Sequence, residues 1–159
     1  MRRALQFGLV ALFAGVAAAF ILPPPAVSQP FAFNHAKHAS LTCAGCHVGV
    51  RAGERASLPT ADVCTNCHAT PPASVEASQW ERLAAGGPFW RKVTRMPEHV
   101  MFSHRRHVVS AALQCESCHA DIGQRTTPPS RVPVRLDMDT CLACHIAEGA
   151  SEDCAGCHR

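Results

Sequence analysis

The pentapeptide Cys-x-x-Cys-His occurs five times in 159 residues, and no cysteine lies outside these copies. They run Cys43 to His47, Cys64 to His68, Cys115 to His119, Cys141 to His145 and Cys154 to His158. Two cysteines three residues apart, with a histidine directly after the second, form the attachment signature of c-type haem. The thiols become thioethers on the porphyrin, and the imidazole takes an axial position on the iron. Structural zinc, a thioredoxin-like redox pair and a disulfide framework also use paired cysteines, but none explains a histidine in the same place each time. The pattern predicts five covalently bound haems c, on Cys43 and Cys46, Cys64 and Cys67, Cys115 and Cys118, Cys141 and Cys144, and Cys154 and Cys157. The proximal iron ligands are then His47, His68, His119, His145 and His158.

So many porphyrins on so short a chain dictate the kind of fold. The whole sequence has no Tyr, two Trp and seven Phe, and few large apolar side chains lie beyond the first thirty residues. Such a chain has too little apolar side-chain surface for an ordinary core, so the porphyrins are expected to be the interior and the haem-free chain to be largely unfolded. Twelve prolines and ten glycines, scattered between the motifs, interrupt long helices and continuous sheet. The expected fold is a multihaem cytochrome c with little regular secondary structure. Short α-helices and loops wrap around five haems, with one N-terminal hydrophobic helix added. The formal net charge of +3 says little about partners, because ten ionised propionates would bring the holoprotein to about −7. Nothing in the sequence suggests a nucleic-acid partner.

Met1, Arg2 and Arg3 precede an apolar run from Ala4 to Leu22, and Pro23, Pro24 and Pro25 follow it. Basic residues before an apolar stretch predict export with the N-terminus left in the cytoplasm. A run of nineteen residues suits a membrane-spanning anchor better than a secretory h-region. Cleavage is the alternative, because Ala17 and Ala19 make an A-x-A pattern. Both readings put the haem region on the periplasmic, extracytoplasmic side of the cytoplasmic membrane.

The expected organisation is residues 1–30 as signal-anchor and Pro-rich stop, 31–72 as a dihaem module, 73–97 as a connector and 98–159 as a trihaem module. In the connector Ser78 and Glu81 make a capping-box pattern, which predicts a helix from Gln79 to Ala85 ended by Gly86 and Gly87. Phe89, Trp90 and Val93 then read as packing on the chain's own haems, with a partner surface as the alternative. The Pro/Arg-rich stretch from Thr126 to Arg135 reads as a solvated loop, or else as an interaction surface.

Phe102-Ser103-His104-Arg105-Arg106-His107 repeats Phe33-Asn34-His35-Ala36-Lys37-His38 at a displacement of 69 residues, which suggests a duplicated unit. Histidines three apart can share a helical turn and point to two different irons. Beyond the five proximal histidines the sequence has His35, His38, His99, His104 and His107, enough for a second imidazole on every iron. His99 lies outside the repeat and is the least secure of these. If it does not ligate, Met138, three residues before Cys141, is the leading substitute, ahead of Met96 and Met101. A methionine there would raise that haem's potential relative to a second histidine.

The F-x-H-x-x-H element before C-x-x-C-H resembles class III cytochromes c and their trihaem relatives. That resemblance implies that His35 serves the haem on Cys43/Cys46 and His104 the haem on Cys115/Cys118, with His38 and His107 reaching other haems. From Pro88 to His119, P-x-W-x-x-V followed by P-x-x-V-x-F-x-H-x-x-H resembles the membrane-anchored multihaem subunits of alternative complex III and related quinone-linked respiratory complexes. The resemblance implies an electron carrier rather than an enzyme. It would relay electrons between a membrane quinol-oxidising or iron–sulfur partner and a periplasmic acceptor, with other complex subunits or a periplasmic redox protein as partners and no small-molecule substrate.

Two other readings stand beside it. A quinol dehydrogenase in its own right needs an acid/base group near the anchor, and no Asp or Glu lies between Leu22 and Phe33. A haem enzyme needs one iron with an open position, which a shortfall of distal ligands would create.

Overall fold

The computed structural model describes residues 6–8, 11, 12, 15, 26–53, 55–87, 90–132 and 136–159. Most of the apolar run at 4–22, with the Pro-rich stop at 23–25, lies outside the described residues. Among the described residues no helix is long and apolar enough to cross a membrane.

Helices are short, as the scattered prolines and glycines require. They are α1 (Cys43–Cys46), α2 (Ala61–Thr65), α3 (Ala77–Ala84), α4 (Glu116–His119), α5 (Met138–Ala147) and α6 (Cys154–Cys157). Tighter turns cover Ala36–His38 and Ile122–Gln124, and a wider π-type turn covers Arg106–Ser110. Among the described residues the only β pairing is an isolated antiparallel bridge between Val100 and His158.

In the connector, α3 begins at Ala77 rather than Gln79, and no side-chain capping bond forms. Glu76, in extended conformation, takes the cap position, so the Ser78–Glu81 pattern falls inside the first turns. The far end follows the glycine expectation: Gly86 turns at φ 112° and Gly87 N–H closes on Arg82 O at 3.2 Å. The longer α5 has a true N-cap, with Asp137 Oδ1 accepting from Thr140 N–H at 2.9 Å and from its hydroxyl at 2.8 Å.

Backbone bonds tie the two halves of the chain together. Ala36 N–H donates to Arg125 O at 3.0 Å, and Arg105 N–H donates to Gly53 O at 3.3 Å. The Gln29 amide donates to both Arg91 O and Pro129 O, and Val27 N–H donates to Ser130 O at 2.7 Å. The stretch from Thr126 is therefore held by residues 27–29 through Pro129 and Ser130, while its residues 133–135 lie outside the described ones.

Trp90 packs on its own chain. Its ring lies 4.8 Å from Phe31, and its Nε1–H donates to Pro59 O at 3.0 Å. Phe89 lies outside the described residues.

Among the described residues there is hardly any side-chain core. Among the described residues, Val50 and Leu83 are the buried hydrophobic side chains, while Leu41, Val48, Val109, Met138 and Ile146 are exposed. Dispersion and hydrophobic burial between side chains cannot hold such a chain.

Candidate haem-binding centres

Each Cys-x-x-Cys-His element folds into one helical turn. The histidine N–H closes on the first cysteine's carbonyl at His47 (2.9 Å), His68 (3.0 Å), His119 (2.9 Å) and His158 (2.8 Å), and the fourth element lies inside α5. Residues i, i+3 and i+4 share a helix face, so this turn presents two sulfurs and an imidazole to one side.

None of the ten cysteines is paired in a disulfide. The second cysteine of each element is set by the same turn as the first. Cys67 N–H donates to Cys64 O at 3.3 Å, and Cys118 N–H donates to Cys115 O at 3.3 Å. Cys144 sits inside α5, where its carbonyl accepts from Glu148 N–H at 2.9 Å. The cysteines differ in cover: Cys67 and Cys144 are exposed, as are Cys43, Cys118, Cys141 and Cys154, whereas Cys46, Cys64, Cys115 and Cys157 are half-buried. No side-chain core lies over Cys67 or Cys144, so both thiols are open to thioether formation.

The upstream histidines come to these elements in pairs. His38 lies 6.1 Å from His68, His107 lies 6.2 Å from His145, and His99 lies 5.5 Å from His158, all between ring centres. The remaining two pairs show in the electrostatics. Burial first, then the His47 imidazole, holds His35 below the usual histidine range, with His38 and Arg125 adding to it. Burial first, then His104, does the same to His119, with His47 adding to it and Glu116 opposing. Three motif histidines therefore have an upstream histidine at measured ring distance, and the other two share electrostatic contact with one.

Two imidazoles sharing one iron would have ring centres about 6 Å apart; His38–His68 at 6.1 Å and His107–His145 at 6.2 Å match that spacing, and His99–His158 is closer at 5.5 Å. Among the described residues no three or more His, Cys, Asp or Glu side chains converge on one point as in a zinc site. The donors meet in twos, as the axial positions of a porphyrin iron require. These residues fit haem c.

Four of these imidazoles are committed to backbone carbonyls through Nδ1. His47 Nδ1 lies 2.7 Å from Ser57 O, His145 Nδ1 2.6 Å from Ser151 O, His38 Nδ1 2.9 Å from Asn34 O and His107 Nδ1 2.8 Å from Ser103 O. A carbonyl can only accept, so Nδ1 carries the proton in each and Nε2 keeps its lone pair, the tautomer a metal ligand needs. His35 Nδ1 is buried with no hydrogen-bond partner. Its ring is held instead by the edge of Phe33.

The duplicated sequence folds into duplicated geometry. Phe33 meets His35 edge-on at 4.8 Å and 86°, and stacks on His38 at 4.7 Å and 25°. Phe102 meets His104 edge-on at 4.9 Å and 89°, and stacks on His107 at 4.7 Å and 24°. One phenylalanine thus wedges both imidazoles of each pair at fixed angles, a role the bare F-x-H-x-x-H pattern did not reveal.

His99, outside the repeat, is positioned by backbone. The Val100–His158 bridge, Met101 N–H to Cys157 O at 2.8 Å and Arg159 N–H to His99 O at 3.1 Å clamp it beside the last motif. Met138 sits at the first position of α5 with 59% of its surface exposed, and the imidazole facing the neighbouring His145 is that of His107.

Sequence reasoning missed the orienting carbonyls of Asn34, Ser57, Ser103 and Ser151. Backbone acceptors carry no residue signature, so no signal in the sequence pointed to them.

With this geometry, the likeness to known proteins has a physical basis. The class III cytochrome c family matches residues 18–86, and the family of cytochrome c7 and related cytochromes c matches residues 100–159. A relative from Nitratidesulfovibrio vulgaris, the multihaem cytochrome c subunit of a menaquinone reductase, is 27% identical over 82% of this chain and 77% of its own.

Proposed function

Starting from a chain whose two halves each resemble multihaem cytochromes c, we propose that it is a pentahaem electron carrier. It works on the outer side of the cytoplasmic membrane, as a subunit or partner of a quinone-reactive respiratory complex. The observation that carries this reading is the set of histidine pairs. The assignment is His47 with His35, His68 with His38, His119 with His104, His145 with His107 and His158 with His99. This makes His99, and not Met138, the fifth distal ligand.

Bound haem supplies a one-electron iron couple at each centre. The chain's own residues do the rest. Each pair of imidazoles would hold one haem iron from the chain's own side chains, and an iron so held would transfer electrons without binding a substrate. The carbonyls of Ser57, Ser151, Asn34 and Ser103 hold each ring's proton at Nδ1 and increase the basicity of Nε2. Phe33 and Phe102 fix the ring angles.

The outer location is supported by the basic residues Arg2 and Arg3 ahead of the apolar run, and by the compartment in which c-type haem is attached. The relative's name supports a quinone-linked partner. A ladder of bis-histidine centres conducts either way, as donor and acceptor potentials dictate.

Intact mass, EPR and carbon monoxide difference spectra of the holoprotein test the reading. Five haems, all low-spin and silent to carbon monoxide, are expected; a high-spin haem that binds carbon monoxide overturns it. Menaquinol added to the purified chain alone should leave the haems oxidised, and reduction there would mean a quinol site of the chain's own.

A further inference from the structure

We propose that the haem sites stand in space in the order Cys64/Cys67, Cys43/Cys46, Cys115/Cys118, Cys141/Cys144, Cys154/Cys157. The second motif of the chain is then a terminus of the relay and the first is internal. This order rests on the ligand pairing proposed above, and sequence order alone would give the opposite for the first two motifs.

Four juxtapositions build it. His35 and His38 lie three residues apart around one turn, and the same Phe33 ring touches both, so the Cys43/Cys46 and Cys64/Cys67 sites are neighbours. His104, His107 and Phe102 repeat the arrangement and join Cys115/Cys118 to Cys141/Cys144.

The join between these two couples is a pair of consecutive backbone groups. Ser57 O accepts from His47 Nδ1 at 2.7 Å, and Ala56 N–H donates to His104 Nδ1 at 3.3 Å. The imidazoles of the Cys43/Cys46 and Cys115/Cys118 sites therefore hang on adjacent residues of one loop. Arg105 N–H to Gly53 O reinforces the same seam.

The last join is made by Ser151. Its carbonyl accepts from His145 Nδ1 at 2.6 Å, while its hydroxyl accepts from Asp153 N–H at 3.3 Å, one residue before Cys154.

The cysteine surroundings follow the same order. Burial, then Cys46, pushes the Cys64 thiol up, and burial, then a hydrogen bond with Cys43, does so for Cys115. Burial, then Asp137, then Cys157 and Cys118, raise Cys141. The outer site at Cys64 and Cys67 rests against α3, with Trp80 6.4 Å from His68. The opposite outer site is the one clamped by His99 to Met101. Electron exchange with partners belongs at these two ends.

The order is read by stepwise reduction of the holoprotein, followed through the NMR signals of the haem methyl groups. His38→Met and His35→Met each replace one distal imidazole with a thioether, which raises that haem's potential. His38→Met should displace the midpoint of one other haem, and His35→Met those of two others. The reverse pattern, two for His38→Met and one for His35→Met, would overturn the order. A His38→Met protein whose haem spectra are all unchanged overturns the ligand pairing itself, and the order falls with it.

Iron anomalous scattering from crystals of the unaltered holoprotein gives the same answer without a substitution. An iron at Cys43/Cys46 with two iron neighbours and an iron at Cys64/Cys67 with one sustain the order. An iron at Cys43/Cys46 with a single neighbour refutes it.

Discussion

Replacing His99 by Ala removes one imidazole without touching the clamp that positions it. The clamp is backbone: Met101 N–H to Cys157 O at 2.8 Å and Arg159 N–H to His99 O at 3.1 Å, with the Val100–His158 bridge between them. These hydrogen bonds contribute about 1 kcal/mol each, and an alanine keeps both, so about 2 kcal/mol of clamp survives. On the proposed pairing the last haem would keep its thioethers and His158, and would lose only its sixth ligand. The expected outcome is one high-spin iron and one carbon monoxide bound per chain, about a fifth of the total iron given the five motifs. EPR with a carbon monoxide titration measures both. The control is Met138→Ala, which alters a side chain that is 59% exposed and should leave every haem low-spin. A His99→Ala protein that stays wholly low-spin, or a Met138→Ala protein that binds carbon monoxide, refutes the pairing of His99 with His158.

A Cβ placed on Gly49 would meet Arg55 O at 2.6 Å and Ser57 N at 3.3 Å, and both obstacles are backbone. Gly49→Ala should therefore cost about 1–3 kcal/mol in thermal unfolding and, by moving Ser57, alter the spectrum of the Cys43/Cys46 haem. Gly123→Ala, with nothing within 4 Å of the new atom, should change stability by less than about 0.5 kcal/mol in the same melt. Trp90→Phe keeps the ring against Phe31 but removes the 3.0 Å bond to Pro59 O, a loss of about 1 kcal/mol; Trp90→Ala should lose about 1 kcal/mol more with the aromatic contact. With all ten cysteines changed to alanine no haem can attach, and circular dichroism should show no cooperative thermal transition, because Val50 and Leu83 are no core.

Two kinds of information made this protein, and they divide cleanly. Sequence alone determined the local form of the motif, because Cys-x-x-Cys-His fits one helical turn and every copy forms it. It determined the style of fold, since prolines and glycines between motifs leave room only for short helices. It also determined that the F-x-H-x-x-H element recurs, and the two copies agree in ring distance within 0.1 Å and in angle within 3°.

What only the tertiary structure decided is which distant residues meet. His38 faces His68 across 30 positions of chain and His107 faces His145 across 38, and no local periodicity encodes either encounter. Identical motifs also end up in unlike surroundings: Cys67 and Cys144 stand exposed where the equivalent Cys46 and Cys157 are half-buried, because neighbours from elsewhere in the chain set the cover. His99 had no repeat partner to recommend it, and a backbone bridge to the last motif sets it beside His158. The start of α3 moved from Gln79 to Ala77 because an extended Glu76 supplied the cap position that the Ser78–Glu81 pattern had suggested elsewhere. The carbonyls that set the histidine tautomers belong to Asn34, Ser57, Ser103 and Ser151, and any residue type offers the same acceptor. Side chains write the chemistry into the sequence, whereas the path of the backbone through space, invisible residue by residue, selects the partners.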